Sequence, residues 1–151
     1  MSVYDKLKEL QIVLPEPAAP VAAFAAIVRT GNLVFVSGHI GKRDGRVWTG
    51  QLGAELGTQE GKQAARNAAI DLLGTLHREL GDLEKIQRIV KMLCLVNSSS
   101  RFTEQHLVAN GASELFQEVF GERGKHARSA FGVAQIPLGS CVEIELVVEL
   151  S

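Results

Sequence analysis

The chain has 151 residues, a net charge of −1 and a hydrophobic fraction of 46%, and only 5% of its residues are aromatic. A domain of this length buries about 68–70% of the surface that its unfolded chain exposes, so no disulfide or metal is needed to hold it together. The near-neutral charge argues against a protein built to bind phosphate backbones, which requires a basic face. An apolar chain with few aromatic residues often buries further surface against copies of itself.

The first ten residues, MSVYDKLKEL, are charged and amphipathic and lack the apolar core of a secretory signal. No run approaches the ~18 apolar residues of a membrane helix, so the expected location is the cytoplasm. Cys94 and Cys141 both have apolar neighbours and are predicted to be buried free thiols in a reducing compartment.

In chain order, the pattern first predicts a short helix over residues 3–11. Pro15, Pro17 and Pro20 then require extended backbone, so residues 1–21 are predicted to be an N-terminal helix and proline-rich arm. Residues 22–151 are predicted to form a single domain.

The domain begins with a predicted hairpin whose turn is Arg29-Thr30-Gly31-Asn32, and a second turn is expected at Asp44-Gly45. Apolar residues at helical spacing predict a long helix over 58–80, which Gly81 would end. The apolar run 89–96 predicts a strand that is buried on both faces.

A second long helix is expected at about 103–120, followed by strands at 126–135 and 141–150 that a turn at Pro137–Ser140 joins. This order predicts an α+β domain with both long helices on one face of a mixed sheet. The other face then lacks cover, and a homo-oligomer would supply it.

Arg128 is the first candidate functional residue, because alternation along its strand places it beside Ala130, Gly132 and Ala134. Its planar guanidinium matches a carboxylate in two parallel hydrogen bonds. The alternative is an ordinary surface or interface salt bridge. His126 would point to the same side as Arg128, either as a ligand contact or as a surface histidine.

Glu143 is the second candidate, on the strand face opposite to the apolar set that begins at Val142 and Ile144. It is either one of several solvated glutamates or a carboxylate that orients a water or moves a proton. Because a tight turn links the last two strands, antiparallel pairing is expected to bring Arg128 and Glu143 towards the same end of the sheet.

Other chemistry has little support in the sequence. The histidines show no metal-ligand spacing, so no metal is expected, and neither a nucleophile elbow nor a phosphate-binding glycine loop is present. A small basic cluster at Arg123, Lys125, His126 and Arg128 is a weak nucleic-acid signal in a chain of negative net charge.

The hairpin GNLVFVSGHIG, the strand IVKMLCLV and the ending HARSAFGVAQIPLGSCVEIELVVEL resemble the RidA family of reactive-intermediate deaminases, also called YjgF-like proteins. The specific part is Arg128-Ser129, Pro137 nine residues after the arginine, and then Val142-Glu143-Ile144-Glu145. The resemblance covers about residues 22–150.

The resemblance implies a chorismate mutase-like fold, assembled as a homotrimer with clefts between subunits. It also implies that Arg128 grips the carboxylate of a 2-imino or enamino acid and that Glu143 places the hydrolytic water, with no cofactor. Backbone at Gly38 would line the pocket. From the residues themselves, His126 remains a further candidate for substrate binding.

The sequence also departs from the family pattern, because Phe24 stands where the family has a tyrosine and Ala130 where it has a cysteine. Phe24 would favour an apolar substrate tail. The function that the resemblance leads us to expect is hydrolysis of a 2-imino or enamino acid to a 2-oxo acid and ammonia. The alternatives are a trimer that binds a small carboxylate without turning it over and, third, an endoribonuclease.

Overall fold

We describe the fold from a computed structural model that covers residues 1–18 and 23–151. Pro20 and the predicted boundary between residues 21 and 22 lie outside the described residues. No helix within the described ranges is long and apolar enough to cross a bilayer.

The N-terminal helix α1, Val3–Glu9, is shorter than predicted and begins at a serine cap, where Oγ of Ser2 accepts a hydrogen bond from the Asp5 N–H at 3.0 Å. Val3 and Leu7 are buried in the main hydrophobic core. The backbone N–H of Leu83 donates to the Tyr4 hydroxyl at 2.8 Å. This helix therefore packs directly against the rest of the chain.

Three other predictions of local structure are confirmed. The first hairpin turns at Gly31, which has the positive φ of 59°, and the second turns at Asp44-Gly45. The long helix ends at Gly81, whose left-handed conformation has φ 81°. The helices are α2, Thr58–Leu80, and α3, Gln105–Phe120. The strands are β1 Ile27–Thr30, β2 Leu33–Ile40, β3 Lys42–Arg43, β4 Arg46–Val47, β5 Ile86–Asn97, β6 Ala127–Val133 and β7 Val142–Leu150.

Five strands form one mixed sheet in the order β1-β2-β7-β5-β6, and β3 pairs with β4 in a separate small ribbon. Strand β6 runs parallel to β5, and the other neighbouring pairs are antiparallel. The mixed sheet is as predicted.

The predicted pairing of the last two strands is wrong, because β5 lies between β6 and β7. Helix α3 connects β5 to β6 by crossing over the sheet, and β6 therefore runs parallel to β5. The segment that contains the turn at Pro137–Gly139 then carries the chain past the end of β5 to its other edge. A short connection in the sequence therefore does not make a hairpin here.

Both long helices cover the same face of the sheet. Along β7, the side chains of Val142, Ile144, Leu146 and Val148 are buried, while the residues between them are half-buried or exposed. The prediction that β5 is buried on both faces is wrong for a single chain, because Met92 and Cys94 are buried but Leu93 and Leu95 are only half-buried. Within residues 1–18 and 23–151, no layer covers the second face.

That second face, which we call the open face, is apolar at both ends. Val28, Phe35 and Phe131 are 57%, 45% and 48% exposed; Val147 is level with Phe35, and Leu95 is level with Phe131, so the face carries two apolar groups at different levels of the sheet. Exposed aromatic and aliphatic side chains on one sheet face are typical of a protein–protein interface.

The prediction that both cysteines are buried is confirmed, and both are free thiols. Burial raises the pKa of Cys94 to about 12 and that of Cys141 to about 11. Neither thiol is therefore a nucleophile at neutral pH, because the reactive species is the thiolate.

The contact between α2 and α3 depends on Gly111. A Cβ at this position would overlap the backbone carbonyl oxygen of Lys62 in α2, so the two helices can approach only where α3 has no side chain. We expect Gly111→Ala to lower the free energy of unfolding by at least about 2 kcal/mol, since backbone atoms cannot move aside as a side chain can.

Chemical denaturation measures this change, with Gly57→Ala as the matched control. A Cβ on Gly57, which caps α2 at φ −101°, would lie 3.9 Å from its nearest neighbour atom. The control should cost less, roughly 0.5–1 kcal/mol, because alanine is a poorer N-cap residue than glycine. Equal effects of the two substitutions would contradict the close approach of the helices.

Candidate functional site

Arg128 lies on the edge strand β6 and points to the helix-covered side of the sheet, because it is level with the buried Met92 of β5. Its guanidinium reaches α3. Nη1 donates to Oδ1 of Asn110 at 2.7 Å and to Oγ of Ser113 at 3.0 Å, and Nη2 donates to the backbone carbonyl of His106 at 3.0 Å. One face of α3 therefore holds the guanidinium in place.

All three partners of Arg128 are neutral. No carboxylate within residues 1–18 and 23–151 approaches its nitrogens to 4.0 Å. Three of the five N–H donors of the guanidinium are used by these partners, and Nε–H and one Nη2–H are without a partner in the described part of the chain. The guanidinium can therefore accept a planar carboxylate in a charge-assisted contact.

His126 lies beside Arg128 and shares a partner with it. Its Nδ1 is 2.7 Å from the carbonyl oxygen of Gly124, and its Nε2 is 2.9 Å from Oγ of Ser113. The ring packs edge-on against Phe116, with centroids 6.0 Å apart. Burial lowers the pKa of His126, the Gly124 carbonyl raises it, and the Arg128 charge lowers it further.

Glu143 is on β7 and faces the open side, level with Ile40 of β2 and Leu95 of β5. Its carboxylate packs directly over Gly38, where an added Cβ would overlap Oε2 and would lie 3.1 Å from Cδ. A side chain at position 38 would displace the Glu143 carboxylate, so the glycine leaves room for it. That backbone at Gly38 lines a ligand pocket stays a prediction.

Burial raises the pKa of Glu143, and the neighbouring negative charge of Glu145 raises it further. Leu95 flanks Glu143 in the register and Phe131 lies one strand further, so the carboxylate stands at an apolar part of the open face. A partly desolvated carboxylate of this kind is better suited to accept a proton than a fully solvated one.

Phe24 and Ala130 lie at different places: Phe24 is in the segment beside β2, and Ala130 is on β6 near Arg128. The Ser37 hydroxyl and backbone N–H donate to the carbonyls of Ala25 and Ala26, so the segment containing Phe24 runs beside β2 towards Gly38. Phe24 itself is 53% exposed. Ala130 is level with Cys94 and faces the same side as Arg128.

The expectation that Arg128 and Glu143 meet at one end of the sheet is wrong for a single chain. Glu143 is level with Phe131, three residues beyond Arg128, and the two strands are separated by β5. At strand spacing, the two Cα atoms are roughly 14 Å apart along the sheet. The side chains also project from opposite faces, because Arg128 aligns with buried residues and Glu143 does not.

The basic cluster seen in the sequence does not form one surface. Arg123 pairs with Glu84 and donates to the Ile86 carbonyl, while Lys125 pairs with Glu122 at 2.9 Å. Arg128 is turned towards α3. Within the described residues, no group of three or more His, Cys, Asp or Glu side chains is placed to hold a metal ion.

Sequence reasoning missed Asn110 and Ser113, which fix the guanidinium. Ser113 is only 6% exposed, and in the sequence it interrupts the apolar stripe of α3 between Ala112 and Leu115. A buried hydroxyl needs a hydrogen-bond partner, so this interruption was the available signal. Sequence reasoning also missed Phe131 as an exposed residue of the open face, because its exposure depends on that face having no cover.

The chain is thus a small α+β domain with one exposed sheet face. Arg128 lies at the sheet edge against α3, and Glu143 lies on the exposed face beside Gly38. A family model described as "YjgF/chorismate_mutase-like, putative endoribonuclease" matches residues 5–150. The chain therefore belongs to the YjgF/RidA family with the chorismate mutase-like fold, and the matched region includes most of α1.

Individual relatives agree with this assignment. Protein TCP17 of Trypanosoma cruzi is 48% identical over 151 residues, covering 99% of this chain and 94% of the relative. A 2-iminobutanoate/2-iminopropanoate deaminase of Dermatophagoides farinae is 28% identical over 141 residues, or 91% and 93% of the two chains. The crystal structure of Atu1372 from Agrobacterium tumefaciens, a protein of unknown function, superposes with a TM-score of 0.91 at 38% identity and covers 99% and 92%.

The proximity of Glu145 to Glu143 can be tested by titration. We expect Glu145→Gln to lower the pKa of Glu143, because the substitution removes the repulsion that disfavours the ionised form. The carboxyl ¹³C shift of Glu143, followed by NMR as a function of pH, measures this change. Glu122→Gln, at a distant exposed glutamate, is the control and should leave the titration unchanged.

Proposed function

We propose that the protein hydrolyses 2-imino and enamino acids to 2-oxo acids and ammonia without a cofactor, in clefts between the subunits of a homotrimer. The observation that carries this proposal is the guanidinium of Arg128, which neutral groups of α3 hold in position and which has no carboxylate partner within the described residues. A substrate carboxylate would complete its contacts. The expected location of this reaction is the cytoplasm.

The reaction needs only a held substrate and a placed water. Glu143 takes a proton from the water as the water oxygen bonds to C2, and the electron pair of the C=N bond moves to nitrogen. Glu143 returns the proton to that nitrogen. The carbinolamine then collapses: its C–N bond breaks, its hydroxyl proton goes to the leaving nitrogen, and a 2-oxo acid and ammonia result.

The opposite orientations of Arg128 and Glu143 require two copies of the chain in this proposal. The open face carries Glu143 and Gly38 among exposed apolar residues, so a neighbouring subunit would cover it with its own β6 edge. Repetition of such a head-to-tail contact closes into a ring. His126 and Ala130 would then line the cleft from the arginine side, and Phe24 from the glutamate side.

Two further observations support the reaction. The raised pKa of Glu143 suits a group that must accept and return a proton. One relative over most of the chain is a 2-iminobutanoate/2-iminopropanoate deaminase. The endoribonuclease alternative rests on the description of the family, and it gains no basic surface from Arg123 and Lys125, which are both in ion pairs.

Hydrolysis of imines generated in situ from several amino acids tests the proposal. We expect Arg128→Ala to lower kcat/KM on the order of 10²-fold or more, because the substrate carboxylate loses its charged partner. Arg88→Ala, which removes a surface arginine paired with Glu149, should leave the rate unchanged. No acceleration by the wild type with any imine would contradict the deaminase proposal.

Glu143→Gln separates catalysis from binding. We expect it to lower kcat by about 10²–10⁴-fold, the usual contribution of a general base, while the Kd of a 2-oxo acid measured by calorimetry changes little. In the wild type, kcat/KM should fall as pH drops through the raised pKa of Glu143, because the protonated carboxyl cannot accept a proton. Unchanged turnover in Glu143→Gln would leave Arg128 as the anchor of a binding protein.

Mixing the two inactive variants tests the shared site. If Arg128 and Glu143 act across a subunit boundary, trimers that contain Arg128→Ala and Glu143→Gln chains each regain one intact cleft. Random exchange of equal amounts should then restore about a quarter of the wild-type activity. Sedimentation provides the control: a monomer at micromolar concentration would rule out the shared cleft.

A further inference from the structure

A directed chain of hydrogen bonds runs from the backbone of Gly124 to the guanidinium of Arg128. A carbonyl oxygen only accepts hydrogen bonds, so Nδ1 of His126, 2.7 Å from the Gly124 oxygen, must carry a hydrogen. The neutral ring then has no hydrogen on Nε2. This contact therefore sets the tautomer of His126.

The state of Nε2 determines how the Ser113 hydroxyl is oriented. As an acceptor, Nε2 takes the hydroxyl hydrogen of Ser113 across 2.9 Å, which leaves the lone pairs of Oγ free. One of them accepts from Nη1 of Arg128 at 3.0 Å, and Asn110 accepts the second Nη1 hydrogen. The edge contact with Phe116 keeps the ring from rotating away.

We propose that His126 and Ser113 are positioning residues for the Arg128 guanidinium, and that proton uptake by His126 loosens its grip on a carboxylate. This inference rests on the proposed role of Arg128 as the group that binds the substrate carboxylate. Both residues affect the ligand through Arg128 in this scheme, although His126 also lines the proposed cleft. They act through the direction of one hydroxyl hydrogen.

Protonation of His126 reverses the direction of its hydrogen bond with Ser113. An imidazolium donates from both nitrogens, so Oγ of Ser113 must accept from Nε2 and turn its own hydrogen elsewhere. Oγ then has to accept from two cationic groups, His126 and Arg128, and the positive charges repel each other. The guanidinium loses its ordered contact with Ser113 and is held by Asn110 and the His106 carbonyl alone.

The ring is neutral at pH 7, because burial lowers its pKa below the ordinary value of 6.5 and the Arg128 charge adds to this effect, against the Gly124 carbonyl. The loosening is therefore expected only as the pH falls below that value. Four ion pairs involve charged groups on the elements packed around His126: Arg123 with Glu84, Lys125 with Glu122, Glu114 with Lys62 and Glu118 with Arg66. Two further groups have no ion pair within the described residues: His106 on α3, and Lys91 on β5, which is level with Ala127.

Binding of 2-oxobutanoate, measured by calorimetry between pH 5.5 and pH 8, tests the inference. Ser113→Ala should weaken binding on the order of tenfold at pH 7.5, because the charged guanidinium loses one hydrogen bond. Ser113→Thr keeps a hydroxyl and should restore most of the affinity. Ser100→Ala, at an exposed turn, is the control and should bind as the wild type does.

The variant His126→Gln removes the group whose protonation is proposed to weaken binding. A glutamine oxygen can accept from Ser113 in place of Nε2 and cannot be protonated, so its affinity should stay flat where the wild type weakens towards low pH. His126→Asn, whose shorter side chain cannot reach Ser113, should bind weakly at every pH. A wild type and His126→Gln with the same pH profile would overturn the inference.

NMR separates this inference from the proposed function. The imidazole ¹⁵N shifts of His126 in the ligand-free protein should show the Nδ1–H tautomer, and an Nε2–H tautomer would overturn the positioning role. If 2-oxobutanoate does not bind at all, the proposed carboxylate site is wrong. The inference then stands only if Ser113→Ala broadens the Arg128 guanidinium ¹⁵N signals and Ser100→Ala does not.

Discussion

The packing of α2 and α3 on a single face of the sheet is the constraint on which the rest of the molecule depends. Alternate residues of the central strand β7, beginning with Val142 and Ile144, are buried beneath these helices. Each such side chain contributes about 1.5–3 kcal/mol on burial. The two helices approach closely because Gly111 has no side chain at their contact. Their layer covers one face of the sheet, and within the described residues the other face is uncovered.

That asymmetry sorts the candidate residues into two groups. Arg128 is on the covered side, where α3 supplies Asn110 and Ser113 to hold it, and Glu143 is on the open side against Gly38. One chain offers a cation prepared for a carboxylate and, separately, a partly desolvated carboxylate. Under the proposed function, assembly is therefore part of the active site, because each subunit contributes what its neighbour lacks.

The environment of Arg128 also illustrates how one backbone contact can affect chemistry at a distance. The Gly124 carbonyl sets the tautomer of His126, the tautomer sets the hydroxyl direction of Ser113, and that hydroxyl is one of three groups that orient the guanidinium. In this chain, the neighbours of Arg128 provide a route by which proton concentration would modulate carboxylate binding.

The sequence by itself determined the local elements, because their signals are local. Helical spacing with Gly81 at its end marked α2, Asp44-Gly45 marked a turn, and the Arg128 and Glu143 motifs marked the family. Only the tertiary structure decided that β5 separates the last two strands and that the two candidate residues face opposite ways. Strand order depends on the path of the α3 crossover and on which sheet face is covered, and both are products of long-range packing that no short window of sequence encodes.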